Sequence, residues 1–589
     1  MRRVTTGILL AAIAAWGAAA QDTMSDTWAA ADALGRALPD ERQAPAARAD
    51  RFVGVFYYIW HGAHGYERNV VPVGEAQDVH VPGPGNTRSP FNISTIIQAP
   101  AGQREWGPRH AFHHWGEPLF GYYVANDEWV IRKHAQMLAD AGVDVIVFDV
   151  TNGFHYRAVY MNILRVYADI RAKGGRTPAV AFLTNSGHAR VARHLYDDLY
   201  AKGLYKDLWF MWKGKPLLMA DPEGLGDDLA AFFTLRRSWA WTTGQKWFGD
   251  GRDRWPWLDH TPQQPGWHEA PGKPEQIVVC AAEHPDSDRG KSFHGGANPK
   301  PHRSEQGLYF EEQWRRALEV DPEFVFITQW NEWMAMRFTR KDVNRPSYAG
   351  EADYDPEGVF VDVYDAEYNR DIEPMKDGYG DNYYYQMWQG IRRFKGVRPL
   401  QPASARVPDD WAGAGDLWDA VGPAYWDDAG DTFHRDHFGY GSVGALTNRT
   451  GRNDIRLCKV ARSPSTVWFM AETAQPLTPP DGEAWMALDV RVEGGGAFEI
   501  RPRPDGKKAE IRAVQPGAPA RPLGEAPCSV EGRRFIVAVP RATLGVPDGA
   551  MRLRFKWSDN VIGERPLAWW TDGDTAPNGR AEYRFEAVD

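Results

Sequence analysis

Between Val53 and Thr328, short apolar runs, each long enough for one strand, alternate with amphipathic stretches of helical period, and no other feature constrains this chain as much. Residues 53–60 read as a buried strand. From about Asp127 the spacing of Val130, His134, Met137, Leu138 and Ala141 places one apolar face on a helix that Gly142 stops. Residues 143–149 follow as an unbroken apolar strand of the kind buried in parallel sheets. The pattern repeats with a helix over 156–173, a strand over 179–183 and a helix over 188–202. Further strands are expected at 216–220, 232–241, 276–281 and 324–328, with a helix over 310–320. Seven strands in about 280 residues fit a (β/α)8 TIM-type barrel with one strand unread. No Gly-x-Gly-x-x-Gly turn follows the first strand, so a dinucleotide-binding sheet is not supported.

The ends of the chain read differently. Residues 1–20 carry Arg2 and Arg3, an apolar run and Ala18-Ala19-Ala20, the pattern of a secretory signal peptide, so a secreted or periplasmic location is expected. Residues 21–50 read as a polar leader and 51–400 as the catalytic barrel. No later window offers about 18 uncharged apolar residues, so no membrane span is expected. Residues 401–415 are a Pro- and Ala-rich linker. Over 416–589, short alternating runs between Gly, Pro and Asp turns predict an antiparallel β-sandwich. Cys458 and Cys528 both fall there and are candidates for a disulfide, whereas Cys280 reads as a buried thiol. The formal charge of −10, without a basic block, argues against nucleic acid as a partner.

In a barrel the reacting groups stand just after each strand, and here they are carboxylates, amides and aromatics. They include Tyr58 and Trp60, Asp149 and Asn152, Asn185, and Trp330-Asn331-Glu332-Trp333. Cleaving a glycosidic bond takes two carboxyls flanking an oxocarbenium-like transition state, with amides and aromatic rings to hold hydroxyls and sugar faces. The 26 Trp, many in polar Gly-rich segments, suit that role. Glu332 is the leading catalytic candidate, and its alternative is a surface ion pair. The long loop after the first strand holds His114, Trp115 and Glu117, read as substrate contacts with Trp115 as a platform. The acidic run over 362–373 supplies Glu367 and Asp371 as candidates for the second carboxyl, with Glu373 behind them; Asp149 is a further one. The same run reads equally as a solvated loop, or as a calcium site, although its spacing matches no EF-hand. No other cofactor is expected.

The first strand's Tyr-Tyr-x-Trp, the His114-Trp-Gly-Glu-Pro118 loop, residues 142–149 and Trp330-Asn-Glu-Trp333 together resemble the glycoside hydrolase family 71/99-like barrels, over roughly residues 51–400. The resemblance implies an endo-acting hydrolase of a polysaccharide or oligosaccharide. It also implies a second glutamate three residues after Glu332, where this chain has Ala335. Residues 447–454 and 555–560 resemble family 9 carbohydrate-binding-like sandwiches, implying either sugar binding or a structural cap. Two other functions stay open: a carbohydrate-binding protein that lost its acid, and a polysaccharide lyase using Arg236, Arg237 and His284.

Overall fold

The structure, a computed structural model, describes residues 21–62, 91–282, 294–296, 301–328, 330–342, 355–360, 363–368, 371–411 and 413–588. The signal-peptide reading of residues 1–20, and the positions of Asp362 and His284, lie outside them.

Seven parallel strands form the core of the first unit: Phe52–Tyr57, Val145–Val150, Ala179–Thr184, Lys215–Met219, Thr234–Arg236, Pro274–Cys280 and Phe324–Thr328. Numbered along the chain, they lie side by side as 5-4-3-2-1-7-6, a cyclic order with its break between the fifth and the sixth. Residues 253–258 run into that break. Arg237 pairs with Arg254 and Ala240 with Leu258, both parallel. On the far side the contact with the sixth strand is made by side chains: Gln276 Nε2 donates to the Pro256 carbonyl at 2.9 Å, and Trp255 Nε1 to Glu275 Oε2 at 2.8 Å. The described sheet is therefore curled, with its backbone ladder open at this point. The strand expected over 232–241 is shorter, because Phe232 ends the helix Asp227–Phe232 and residues 237–241 bond irregularly to 253–258.

Local chemistry accounts for the best-formed elements. In the helix Glu128–Ala141 the Asp127 side chain accepts the Trp129 N–H at 3.1 Å, and Gly142 closes the other end at φ 88°, a conformation open to glycine at little cost. In the first strand, a Cβ on Gly54 would lie 2.5 Å from the Phe324 ring, so glycine lets the first and seventh strands approach. The helix expected over 188–202 is α-helical at His188–Leu195 and continues as a π turn, Tyr196–Tyr200.

The second unit is a separate, wholly antiparallel ladder from Tyr425–Trp426 to Tyr583–Ala587. Its long strand Ala518–Glu531 pairs with Lys508–Gln515 along its first part and with Arg534–Pro540 at its end, joining two halves. The halves meet through aromatic rings, Phe469 against Phe555 and Phe535 against Trp557, both at 5.7 Å. The disulfide expected between Cys458 and Cys528 does not form; both are free thiols. Their strands are separated by Thr466–Thr473 and Arg534–Pro540, three spacings of about 4.8 Å, well beyond the reach of a disulfide.

Residues 21–50 are ordered against both units. Trp28 is 2% exposed and packs edge-on against Trp388 of the helix Asn382–Lys395 and Tyr583 of the last strand. Arg392 of that helix donates to the Ser25 and Trp28 carbonyls at 2.7 and 2.8 Å. Residues 401–411 lie along the second unit, with Trp411 against Trp418 and Trp468. No helix among the described residues is long and apolar enough to cross a membrane.

Candidate active site

Side chains alternate along a strand, so Phe56 of the first strand and Tyr58 just beyond its end share a face with Val147 and Asp149 of the second, where Phe56 is paired with Val147. That face opens at the C-terminal strand ends into a cleft of about 270 Å³. Its floor and walls are Phe56, Tyr58, Trp60, Phe112, Trp239, Trp257, Met336 and Phe338; its polar groups are Asp149, Thr151, Asn152 and Glu332. Trp239 presents the most open ring, at 37% exposed, standing edge-on to Trp257 at 6.1 Å. Asp149 is aimed by two donors: Trp60 Nε1 reaches Oδ2 at 3.0 Å and the Thr151 N–H reaches Oδ1 at 2.9 Å.

The Trp330–Trp333 segment is held by its neighbours so that, of its four residues, Glu332 lines the cleft. The Trp330 N–H donates to the Phe56 carbonyl at 2.9 Å. Asn331 clamps the Tyr58 backbone, its Oδ1 accepting the N–H at 2.9 Å and its Nδ2 donating to the carbonyl at 3.2 Å. The Glu332 N–H donates to Asp371 Oδ1, and Trp333 Nε1 donates to Glu373 Oε2 at 2.5 Å. Trp333 is stacked on Trp115, with centroids 4.6 Å apart.

Asp371 and Glu373 of the acidic run thus lie beneath the strand end. Asp371, wholly buried, takes the Glu332 N–H and, at 2.6 Å, Trp115 Nε1. Glu373, also wholly buried, takes the Tyr123 hydroxyl at 2.7 Å and Trp333 Nε1 on one oxygen and His134 Nε2 at 2.8 Å on the other. His134 Nδ1 in turn meets the Tyr57 hydroxyl at 2.7 Å. Burial raises the Tyr57 and Tyr123 phenols well above their usual range, with the Glu373 charge adding to it, so both remain neutral. His61, stacked on Trp60, is pushed down to about 3, first by burial and then by His134.

Of the residues singled out from sequence, Tyr58, Trp60, Asp149, Asn152 and Glu332 line the cleft. The others sit elsewhere. Trp115 has no exposed surface and is a core ring, not a platform. His114 is buried against Tyr122 and Tyr440, and burial holds its imidazole well below the usual range. Glu117 pairs with Lys376 at the surface, and Asn185 is exposed outside the cleft. Trp330, Asn331 and Trp333 support the segment from behind. Glu367 is buried with its N–H on Asp365 Oδ1, and Asp371 orients Glu332 from below, so neither faces the cleft. The calcium reading of this loop does not fit Asp371 and Glu373, whose oxygens are taken by N–H and O–H donors. Arg236 and Arg237, considered for a lyase, are paired with Glu275 and Asp221. In the second unit Arg452 bonds Asp559 and Asn560 bonds the Thr450 carbonyl, so the two segments thought to bind sugar are bonded to each other. The sequence reading missed Trp239 and Trp257 as cleft residues; their only local signal is two Trp-x-Trp runs outside the regular strands.

No known family pattern matches the chain, and no curated protein matches it. Among solved structures, the chain is similar to the GH99 endo-alpha-mannosidase from Bacteroides thetaiotaomicron, at 16% identity, covering 60% of this chain and 100% of that one, with a TM-score of 0.34. A structure of that GH99 endo-alpha-mannosidase in complex with BIS-TRIS-Propane gives 14% identity, 59% and 98% coverage, and a TM-score of 0.32. The functional reading therefore rests on the geometry of the cleft.

Proposed function

We propose that this protein is a secreted or periplasmic glycoside hydrolase acting on a polysaccharide or glycan, with Glu332 and Asp149 as its two working carboxylates. The observation that carries the reading is that both line one cleft whose remaining walls are largely aromatic. Two carboxyls across an aromatic trough are what hydrolysis through an oxocarbenium-like transition state requires: one protonates the leaving oxygen while the other serves as base or nucleophile. Trp239 offers a ring face to a sugar, and Asn152 an amide to its hydroxyls. In this reading residues 253–258 take the eighth position of a (β/α)8 barrel, and the second unit is a cap or a sugar-binding module.

The test is reducing-sugar release from a panel of plant, algal and microbial polysaccharides by wild type, Glu332→Gln and Asp149→Asn. We expect each variant to lose at least 10³-fold in kcat with the fold intact by circular dichroism, and each to remove one limb of the pH–rate profile. Full activity in either variant refutes its assignment.

A second reading, a carbohydrate-binding protein without catalysis, is favoured by Ala335. It lines the same cleft at the position where the family resemblance implies a glutamate, and Asp149 and Glu332 are the carboxylates there among the described residues. Binding of an oligosaccharide by wild type without release of any product selects this reading.

A further inference from the structure

Where the second unit meets the helix Glu128–Ala141, carboxylates from distant parts of the chain converge. One oxygen each of Asp427, Asp431 and Asp574 lies within 4.8 Å of the other two. Asp427 and Asp574 are each 2% exposed. Both oxygens of Asp427 lack a hydrogen-bond partner, as does one oxygen each of Asp431, Asp454 and Asp574. The second oxygen of these three is committed: Gln136 Nε2 holds Asp431 at 2.9 Å, the Gly430 N–H holds Asp454 at 2.8 Å, and the Ile455 N–H holds Asp574 at 2.6 Å. One oxygen anchored and the other bare is how a protein orients carboxylates toward a metal.

We propose that Asp427, Asp431 and Asp574 bind a calcium ion that locks the second unit onto the helix Glu128–Ala141. Buried carboxylates without partners are too costly to persist as bare anions, and neither Asp140 nor Asp428 close by relieves them. Lys133 and Lys556 act on the group from a distance, Lys556 bonding the Pro577 and Ala581 carbonyls instead, and no ion pair reaches the three carboxylates among the described residues. Oxygen-only ligands select a hard cation. Oxygens placed about 2.4 Å from calcium can be up to about 4.8 Å apart, whereas magnesium at about 2.1 Å draws them closer and keeps several waters. Gln136 is the helix's contribution: by holding Asp431 it ties the proposed site to the first unit.

The experiment uses the full chain, stripped with EGTA and titrated with calcium chloride by calorimetry, with thermal unfolding followed in EGTA and in 1 mM calcium. We expect one calcium per chain and a rise in Tm of about 5 °C. Asp427→Asn discriminates sharply: without a site it removes an unpaired buried charge and leaves Tm unchanged or higher, whereas with one it abolishes the calcium response. Asp431→Asn is the second variant should the first not fold. A wild-type Tm and heat of mixing indifferent to calcium overturn the proposal, and an equal response to magnesium overturns the choice of ion. Sugar release is not a readout, so failure here is independent of the hydrolase reading.

Discussion

Glu373 offers the sharpest test of how the cleft is supported. Its carboxylate is the common acceptor for Tyr123, Trp333 and His134 at 2.7, 2.5 and 2.8 Å, with no exposed surface. Glu373→Ala strips an acceptor from three buried donors, each worth about 1–3 kcal/mol when left unmade. Two can adapt: the Tyr123 O–H can rotate while its oxygen still accepts from Asn331 Nδ2, and a change of tautomer lets His134 Nδ1 donate to the Tyr57 hydroxyl. The Trp333 N–H can only donate. Taking about 2–3 kcal/mol for Trp333 and about 1 kcal/mol for each of the others gives a loss of about 4–5 kcal/mol, a large share of an ordinary folding free energy. Glu373→Gln keeps one acceptor oxygen and should lose about 2 kcal/mol. Urea unfolding followed by circular dichroism measures both. Because Trp333 adjoins Glu332, kcat of the alanine variant should fall by more than its residual folded fraction. A loss below about 1.5 kcal/mol in the alanine variant, or equal losses in both, would refute the network as the support of Glu332.

Two further predictions concern stability. Trp28→Ala should cost about 3–5 kcal/mol in thermal or urea unfolding, since it empties a contact between the helix Asn382–Lys395 and the last strand, and a neutral result would return residues 21–50 to the status of a leader. His61 is held neutral at about 3 in the folded chain, against an unfolded value near 6.5. The unfolded state therefore binds the extra proton, and stability falls as pH drops through 6.5, by about 1.4 kcal/mol per pH unit from this group. At pH 5 the loss is about 2 kcal/mol, which His61→Asn should remove in urea titrations at pH 7 and pH 5.

The alternation of strand and helix was legible from the chain alone because it rests on local periodicity and on local stops. Asp127 and Gly142 bound the helix Glu128–Ala141, and unbroken apolar runs mark the strands Val145–Val150 and Phe324–Thr328. Glu332 and Asp149 were legible for the same reason, since a position at or just beyond the C-terminal end of a strand is a position at the mouth of the sheet. What surrounds them was decided by tertiary packing. A tryptophan in a polar loop reads the same whether it faces solvent or the core, and only the fold placed Trp115 against Trp333 and left Trp239 open. Five carboxylates in one loop read as a reservoir of acids, yet the donors that occupy Asp371 and Glu373 come from Trp115, Tyr123, His134 and the Trp330–Trp333 segment, far away in sequence. Likewise Asp427, Asp431 and Asp574 carry no spacing that announces a site, because strand pairing and the docking of a helix bring them together. Periodicity is a property of neighbours along the chain. Which donor meets which acceptor is a property of the folded surface, and that no local pattern contains.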